Sequence, residues 1–381
     1  MKKIIGIVGS NLIGADPFAE MSWSGSSRYF FKECQRVGIL HSAFGVEAPK
    51  IIKYGLMLAN FSKNREIWRQ KFYLDIHYYN TLTREIGKHL DKEECENDLL
   101  QIGGIYDVPS IVDGKRKCYS YHDGNLAQFL KSPFFPKGLS LKKIKRALEY
   151  ERRVYSGLEK IFTMSSYLRQ SFIDDFGIAP EKVACIGAGI NMEEIPEENK
   201  HKDYGKKNIL FIGIRFYRKG GAQLLSAFKI VSEKHPGAML HIIGPKYLKI
   251  PDELAKCVVH HGFLSKKKDT DKVRFDNILK ESSIFVLPSI YEPFGIAPLE
   301  AMVNQIPCIL TNDWAFKEMV TPGKNGELVD CGNVEELAEK INGLLDNPDL
   351  LKTMGDFSRK LVLENYTWDL VVKRLINELN F

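Results

Sequence analysis

Glu292 and Glu300, eight positions apart in IFVLPSIYEPFGIAPLEAM (284–302), are the most informative chemical groups in the chain. A strand-like apolar run ends at Pro288, a loop carries Glu292, and Pro298 marks a helix start, where its fixed φ and missing N–H suit it. Glu300 then falls in the first turn. The amides of Phe294, Gly295, Ile296 and Ala297 become helix-start donors at the carboxyl edge of a sheet, where ligands of open α/β sheets bind. Such donors suit a diphosphate. Two carboxylates beside it would repel it unless they serve hydroxyl groups, which sugars and riboses supply. The alternative for Glu300 is that it only complements the helix dipole.

A second anion-binding pattern lies in ILFIGIRFYRKGGAQLLSAF (209–228), where a strand gives way to Arg215, Arg218, Lys219 and two glycines. Glycines let the backbone approach a phosphate, and Lys219 at a helix start adds positive charge. A surface loop with exposed bases is the other reading. Earlier in the chain, SWSGSSRYFF (22–31) sets Gly25 and Ser26 ahead of an amphipathic helix, a loop able to face a phosphate or sugar. His122, in SYHDGN, stands at the carboxyl end of another strand beside Asp123, either as a cleft residue or as a histidine bonded in a turn. Two patterns are set aside. Asp269-Thr270-Asp271 has the D-x-D form of a metal-chelated diphosphate site but is wedged between lysines with no buried strand before it. GAGIN (187–191) opens like a dinucleotide fingerprint but has Met192 at the final glycine position.

Positioning these groups requires parallel sheets. ILFIGI (209–214), MLHII (239–243), CVVH (257–260), IFVLP (284–288) and PCILT (307–311) each precede a candidate helix, the pattern of a doubly wound domain. KIIGIVG, LLQIG (99–103), KCYSY (117–121), KIFTM (160–164) and KVACIG (182–187) repeat it in the first half. The chain of 381 residues is long enough for two cores. The expected division is a Rossmann-like domain over 1–200 and another over 201–365, joined by the charged run 191–208. A last helix, 366–381, packs Trp368, Val371, Val372, Leu375 and Leu379 back on the first domain.

The 44% hydrophobic and 27% charged content marks an ordinary globular chain, and seven scattered cysteines without a C-x-x-C pair suggest neither zinc nor a disulfide framework. Reduced thiols and the early failure of a signal-peptide pattern point to the cytoplasm. The net charge of +6 is shared between both halves, so no nucleic-acid partner is expected. One stretch, 131–153, carries eight Lys/Arg against two Glu. It reads as a solvated helix face, or as a patch for peripheral contact with an anionic membrane or a phosphate-bearing acceptor. The aromatic-rich region 56–90 reads as helices capping the first domain, its rings serving as core or as a platform for sugar faces.

The segment EPFGIAPLEAM resembles the E-x7-E motif of the retaining glycosyltransferases of family 4, which have the GT-B fold. RKGG (218–221), VLPS (286–289), FTMSSYLRQSF (162–172) and TPGKNGELV (321–329) are similar to further segments of that family, in the same order. The resemblance implies two Rossmann-like domains facing a cleft, and transfer of a sugar from a nucleotide-sugar donor, UDP- or GDP-linked, to a glycan, lipid-linked or small-molecule acceptor. No metal or cofactor is implied. Glu300 would hold the donor ribose, Glu292 the transferred sugar, and Lys219 with Arg215 or Arg218 the diphosphate. Leu264 would line the base pocket, His122 would touch the donor sugar, and Gly25 with Ser26 would abut the diphosphate from the first domain. A sugar-nucleotide epimerase and a non-catalytic nucleotide-sugar-binding subunit are the competing readings of the same fold.

Overall fold

The computed structural model describes residues 2–9, 16–20, 22–92, 96–112, 114 and 116–379. Cys95 lies outside them. The chain forms two compact units, Met1–Asn191 with Trp368–Phe381, and Met192–Thr367.

The first unit is a six-stranded sheet of β1 (Ile4–Gly9), β2 (Leu40–Val46), β3 (Asp98–Ile102), β4 (Cys118–His122), β5 (Lys160–Thr163) and β6 (Val183–Cys185). Its order is β2-β1-β3-β4-β5-β6, with every pairing parallel. Its helices are α1 (Ser26–Arg36), α2 (Lys50–Ala59), α3 (Arg65–Tyr73), α4 (Ile76–Leu90), α5 (Leu126–Lys131), α6 (Leu141–Gly157) and α7 (Ser166–Phe176). The aromatic region supplies core: Phe72, Tyr78 and Tyr79 are all buried.

The second unit contains β7 (Asn208–Ile212), β8 (Met239–Ile243), β9 (Val258–Gly262), β10 (Ile284–Leu287), β11 (Cys308–Thr311) and β12 (Gly326–Val329). They are also parallel, in the order β12-β11-β10-β7-β8-β9. Strands buried on both faces read as continuous apolar runs, and β10 is fully enclosed along its whole length. The helices are α8 (Gly221–Lys234), α9 (Asp269–Glu281), α10 (Ala297–Val303), α11 (Phe316–Met319), α12 (Val334–Leu345) and α13 (Pro348–Asn365). Relabelled from its own first strand, this sheet has the 3-2-1-4-5-6 order of dinucleotide-binding folds. Its strand order reverses between β7 and β10, the place where such sheets bind ligands.

Two features depart from the expected organisation. The edge strands β2 and β12 add to the runs read as strands. The charged run after residue 191 is seated on the second unit rather than hanging free. The Asn199 N–H donates to Gln305 Oε1 at 2.7 Å, the buried Tyr204 hydroxyl donates to the Gln305 carbonyl at 2.7 Å, and Arg359 donates to the Pro196 carbonyl at 2.6 Å.

The last helix, α14 (Trp368–Leu379), clusters with the first unit. It buries Trp368, Val371, Val372 and Leu375, and the Trp368 indole donates to Asn191 Oδ1 at 3.3 Å while packing edge-on against Phe30. Gly189 leaves just enough room for that indole, since a β-carbon there would stand 2.5 Å from it. Trp368→Ala is therefore expected to lower the stability of the first unit by about 3–5 kcal/mol, the range for emptying a buried aromatic site. Urea denaturation checks this: the transition of the first unit should shift to lower denaturant while that of the second stays in place.

Candidate functional site

The loops on either side of the second sheet's reversal lock into one another. Residues 213–220 follow β7 and residues 288–296 follow β10. Gly220 adopts φ 74°, and a β-carbon on it would sit 1.9 Å from the Pro288 carbonyl oxygen, so only glycine permits both the turn and the approach. The Ile290 N–H donates to the Arg218 carbonyl at 3.0 Å. The Arg218 guanidinium stands 5.9 Å from the centre of the Tyr291 ring, which meets Trp314 edge-on at 5.1 Å. Gly295, at φ 90°, turns the second loop where a β-carbon would strike Phe316 and crowd Glu292.

This closure joins Lys219 to Glu292 in a buried ion pair. Burial first, and then repulsion from Arg218 and Arg215, pulls the Lys219 pKa well below that of a free lysine. Contact with the Glu292 carboxylate opposes that pull by favouring the charged ammonium. Arg215 is exposed beside this pair, and Arg218 is half-buried.

Glu300 has a cationic partner of its own. It lies in the first turn of α10, its amide bonded to the Ile296 carbonyl at 3.1 Å, and its buried carboxylate accepts from Lys266 Nζ at 2.7 Å. Lys266 reaches it from the loop after β9, which also carries the buried Leu264. Sequence reasoning missed Lys266 because it opens a run of three lysines in which nothing marks the one that turns inward. Its place two residues after Leu264 was the available signal. Phe294 is buried, while Ile296 and Ala297 begin α10. Asp269 and Asp271 occupy the first turn of α9, where Asp271 accepts from the Ser265 N–H at 3.3 Å.

The remaining predicted residues belong to the first unit. Gly25 and Ser26 stand at the start of α1, the helix that follows β1. Ser26 is buried, and its hydroxyl accepts from Asn191 Nδ2 at 3.2 Å. His122 ends β4 as expected, but its ring turns into the helical layer and not toward an open strand end. It is 1% exposed, shares a 2.8 Å hydrogen bond with Ser120 Oγ, and packs edge-on against Tyr155 and Phe172. As placed, the ring offers no edge to a ligand. Among the described residues, no three His, Cys, Asp or Glu side chains are grouped to hold a metal ion.

Residues 192–361 match the family model described as "Glycosyl transferases group 1". The second unit is a group 1 glycosyltransferase domain. The chain is 29% identical over 243 residues to spore coat protein SA of Bacillus subtilis, covering 57% of this chain and 64% of that protein. It is 24% identical over 242 residues to an MMP alpha-(1->4)-mannosyltransferase of Mycolicibacterium hassiacum, covering 60% of this chain and 56% of that one. The alignments thus span about three fifths of these relatives. Over its whole length the fold is that of sucrose-phosphate synthase from Thermosynechococcus elongatus, with TM-score 0.72, 14% identity and 99% of both chains covered. This is the GT-B architecture. The interlocked loops after β7 and β10 therefore both lie inside the group 1 domain.

Two outcomes follow from these environments. Lys219→Met strands a buried carboxylate and is expected to destabilise the group 1 domain by about 3–5 kcal/mol, whereas adding Glu292→Gln should recover most of the loss. Chemical denaturation of the single and double variants measures this. For His122, burial pulls the imidazole down to about 3, from the value of about 6.5 of a free histidine. The unfolded chain then gains a proton that the folded one refuses, so stability falls as pH drops from about 6.5 toward 3, by up to about 1.4 kcal/mol per pH unit. His122→Leu should remove that component from the acid limb of a stability–pH profile.

Proposed function

We propose that the protein is a glycosyltransferase that moves a sugar from a nucleoside-diphosphate donor, UDP- or GDP-linked, to a glycan, lipid-linked or small-molecule acceptor. The observation that carries this reading is the Lys219–Glu292 pair at the reversal point of the group 1 domain. A diphosphate entering there would take the Lys219 ammonium and release Glu292 to a hydroxyl of the transferred sugar. One anionic partner replaces another, so the buried cation is never left alone. Arg215 and Arg218 add positive charge from the same loop.

The ribose end follows the same logic. Glu300 would exchange Lys266 for the ribose hydroxyls, and Leu264, on the loop that carries Lys266, would border the base. The resemblance of 292–300 to the E-x7-E motif supports both roles. Transfer breaks the bond between the sugar C1 and the β-phosphate oxygen and forms one from C1 to an acceptor oxygen. The chief task is to stabilise charge on the departing phosphate, which preorganised cations and helix-start amides of 294–297 can do. The resemblance to the retaining glycosyltransferases of family 4 supports retention, which we assign here: the acceptor attacks from the leaving-group face and its proton passes to the diphosphate. Glu292 orients the sugar without a covalent bond.

A thermal-shift panel of UDP-, GDP- and ADP-sugars tests the proposal. One donor class should stabilise the chain by about 2.7 kcal/mol at a hundredfold excess over its Kd. Glu300→Ala should abolish that shift, and full donor affinity in the variant would refute the ribose assignment. With the donor in hand, NMR of the transferred sugar reads the anomeric configuration. Inversion, or a glycosyl adduct on Glu292, would overturn the mechanism.

A further inference from the structure

Helix α2 carries its apolar residues on the wrong side for a helix that caps a soluble unit. None of its residues is buried over Lys50–Ala59. It is held from one side: Leu56 and Met57 pack against the core, the Met57 carbonyl accepts from the Trp68 indole at 2.7 Å, and Asn60 donates to Asp75 at 2.7 Å. Ile51, Tyr54, Leu58 and Phe61 stand 88, 64, 76 and 60% exposed. Their spacing places them on one stripe of the helix and its extension. No charged residue lies between Lys53 and Lys63. A surface helix ordinarily turns such a stripe inward.

The charges around this stripe are mostly of one sign. Lys50, Lys63, Arg65 and Arg69 are exposed, with Glu66 the acidic exception on that segment. Lys143 of α6 binds both Asn60 and Asp75, which fixes the first turn of α6 beside the end of α2. That turn presents Leu141, 82% exposed, with Lys142, Lys145 and Arg146 exposed after it, Lys145 lying 4.0 Å from the exposed Glu149 one turn on. Other cations of the 131–153 stretch are engaged within the unit: Lys131 with Asp175, Arg153 with Asp107, and Arg152 with the carbonyls of Asp175 and Phe176. The stretch is thus divided between internal ties and a basic rim beside an apolar stripe.

We propose that α2 docks in the interfacial layer of an anionic lipid bilayer, its four apolar side chains among the acyl-chain ends and the basic rim on the headgroups. An apolar stripe with cationic flanks is the pattern of helices that lie in a membrane surface. Charge favours lipid over a second copy of the chain, because a two-fold contact centred on this stripe would set like basic rims against each other. Attachment is peripheral, since among the described residues no helix is long and apolar enough to cross a membrane. The proposal does not depend on the glycosyl-transfer reading.

Vesicle flotation of the full chain tests it, with phosphatidylcholine alone and with an equal mixture of phosphatidylcholine and phosphatidylglycerol. The chain should float with the mixed vesicles only, and high salt should weaken the binding. The triple variant Ile51→Ser, Tyr54→Ser, Leu58→Ser should lose about tenfold or more in partitioning. Lys142→Ala with Lys145→Ala should lose about fivefold for each cation removed. Both variants change exposed side chains, so circular dichroism and donor thermal shifts should match the parent. Failure to float with mixed vesicles, equal binding to both vesicle types, or undiminished binding by the serine variant would overturn the proposal. So would a dimer in size-exclusion chromatography with light scattering that the serine variant abolishes, since a second copy would then cover the stripe.

Discussion

The close approach of Gly220 to the Pro288 carbonyl governs the arrangement of the group 1 domain's site. In a sheet whose strand order reverses, the connections that leave the two central strands diverge and open a crevice at their carboxyl ends. Here β7 and β10 are those strands, and main-chain contacts stitch their loops together. The backbone bond from Ile290 to Arg218 fixes the loops' register, and that register delivers Lys219 to Glu292. Because the contact is made by main chain, the charged groups are positioned by the sheet itself and not by their own flexible side chains.

Buried polar groups are accommodated in two ways. In the first, burial drives the Glu151 carboxyl up to about 7 and the His122 imidazole down to about 3, shifting both toward their neutral forms. Neutral buried groups need hydrogen bonds more than counter-charges, and Tyr155 and Ser120 supply them. In the second, Glu292 and Glu300 are each met by a lysine. Buried ion pairs contribute little net stability because desolvation offsets attraction. Under the proposed function, their value lies in charges kept in place and available for exchange with an incoming charged ligand.

How much of this was legible in the sequence depended on the range of the interaction. Strands buried on both faces announce themselves as unbroken apolar runs, which is why IFVL of β10 and CILT of β11 were readable. The edge strand LHSAFGV has an exposed histidine near its start, and GELV breaks its apolar run with a glycine and a glutamate, so neither stands out. The glycines and helix starts that lie together at the candidate site were legible as positions too, since such residues mark turns and close backbone approach. Which cation meets which carboxylate was not. Lys219 and Glu292, or Lys266 and Glu300, are distant in sequence, and only the sheet order joins them. For His122 the strand end was readable but the ring direction was not. Facing the helices beside Ser120 makes it an interior group. The run after residue 191 looked like a tether because its anchors, Gln305 and Arg359, lie far along the chain.

The return of α14 to the first unit has a bearing on how the protein is made. A ribosome releases the strands and helices up to Asn191 first, yet the groove that takes Trp368 stays unfilled while the whole group 1 domain is synthesised. Meanwhile Phe30 and Gly189 lack the indole they pack against. The second unit, whose residues are contiguous from Met192 to Thr367, can complete its core as soon as it emerges. The part begun earliest is therefore finished latest, and during translation it is the nascent amino-terminal half that has most need of a chaperone.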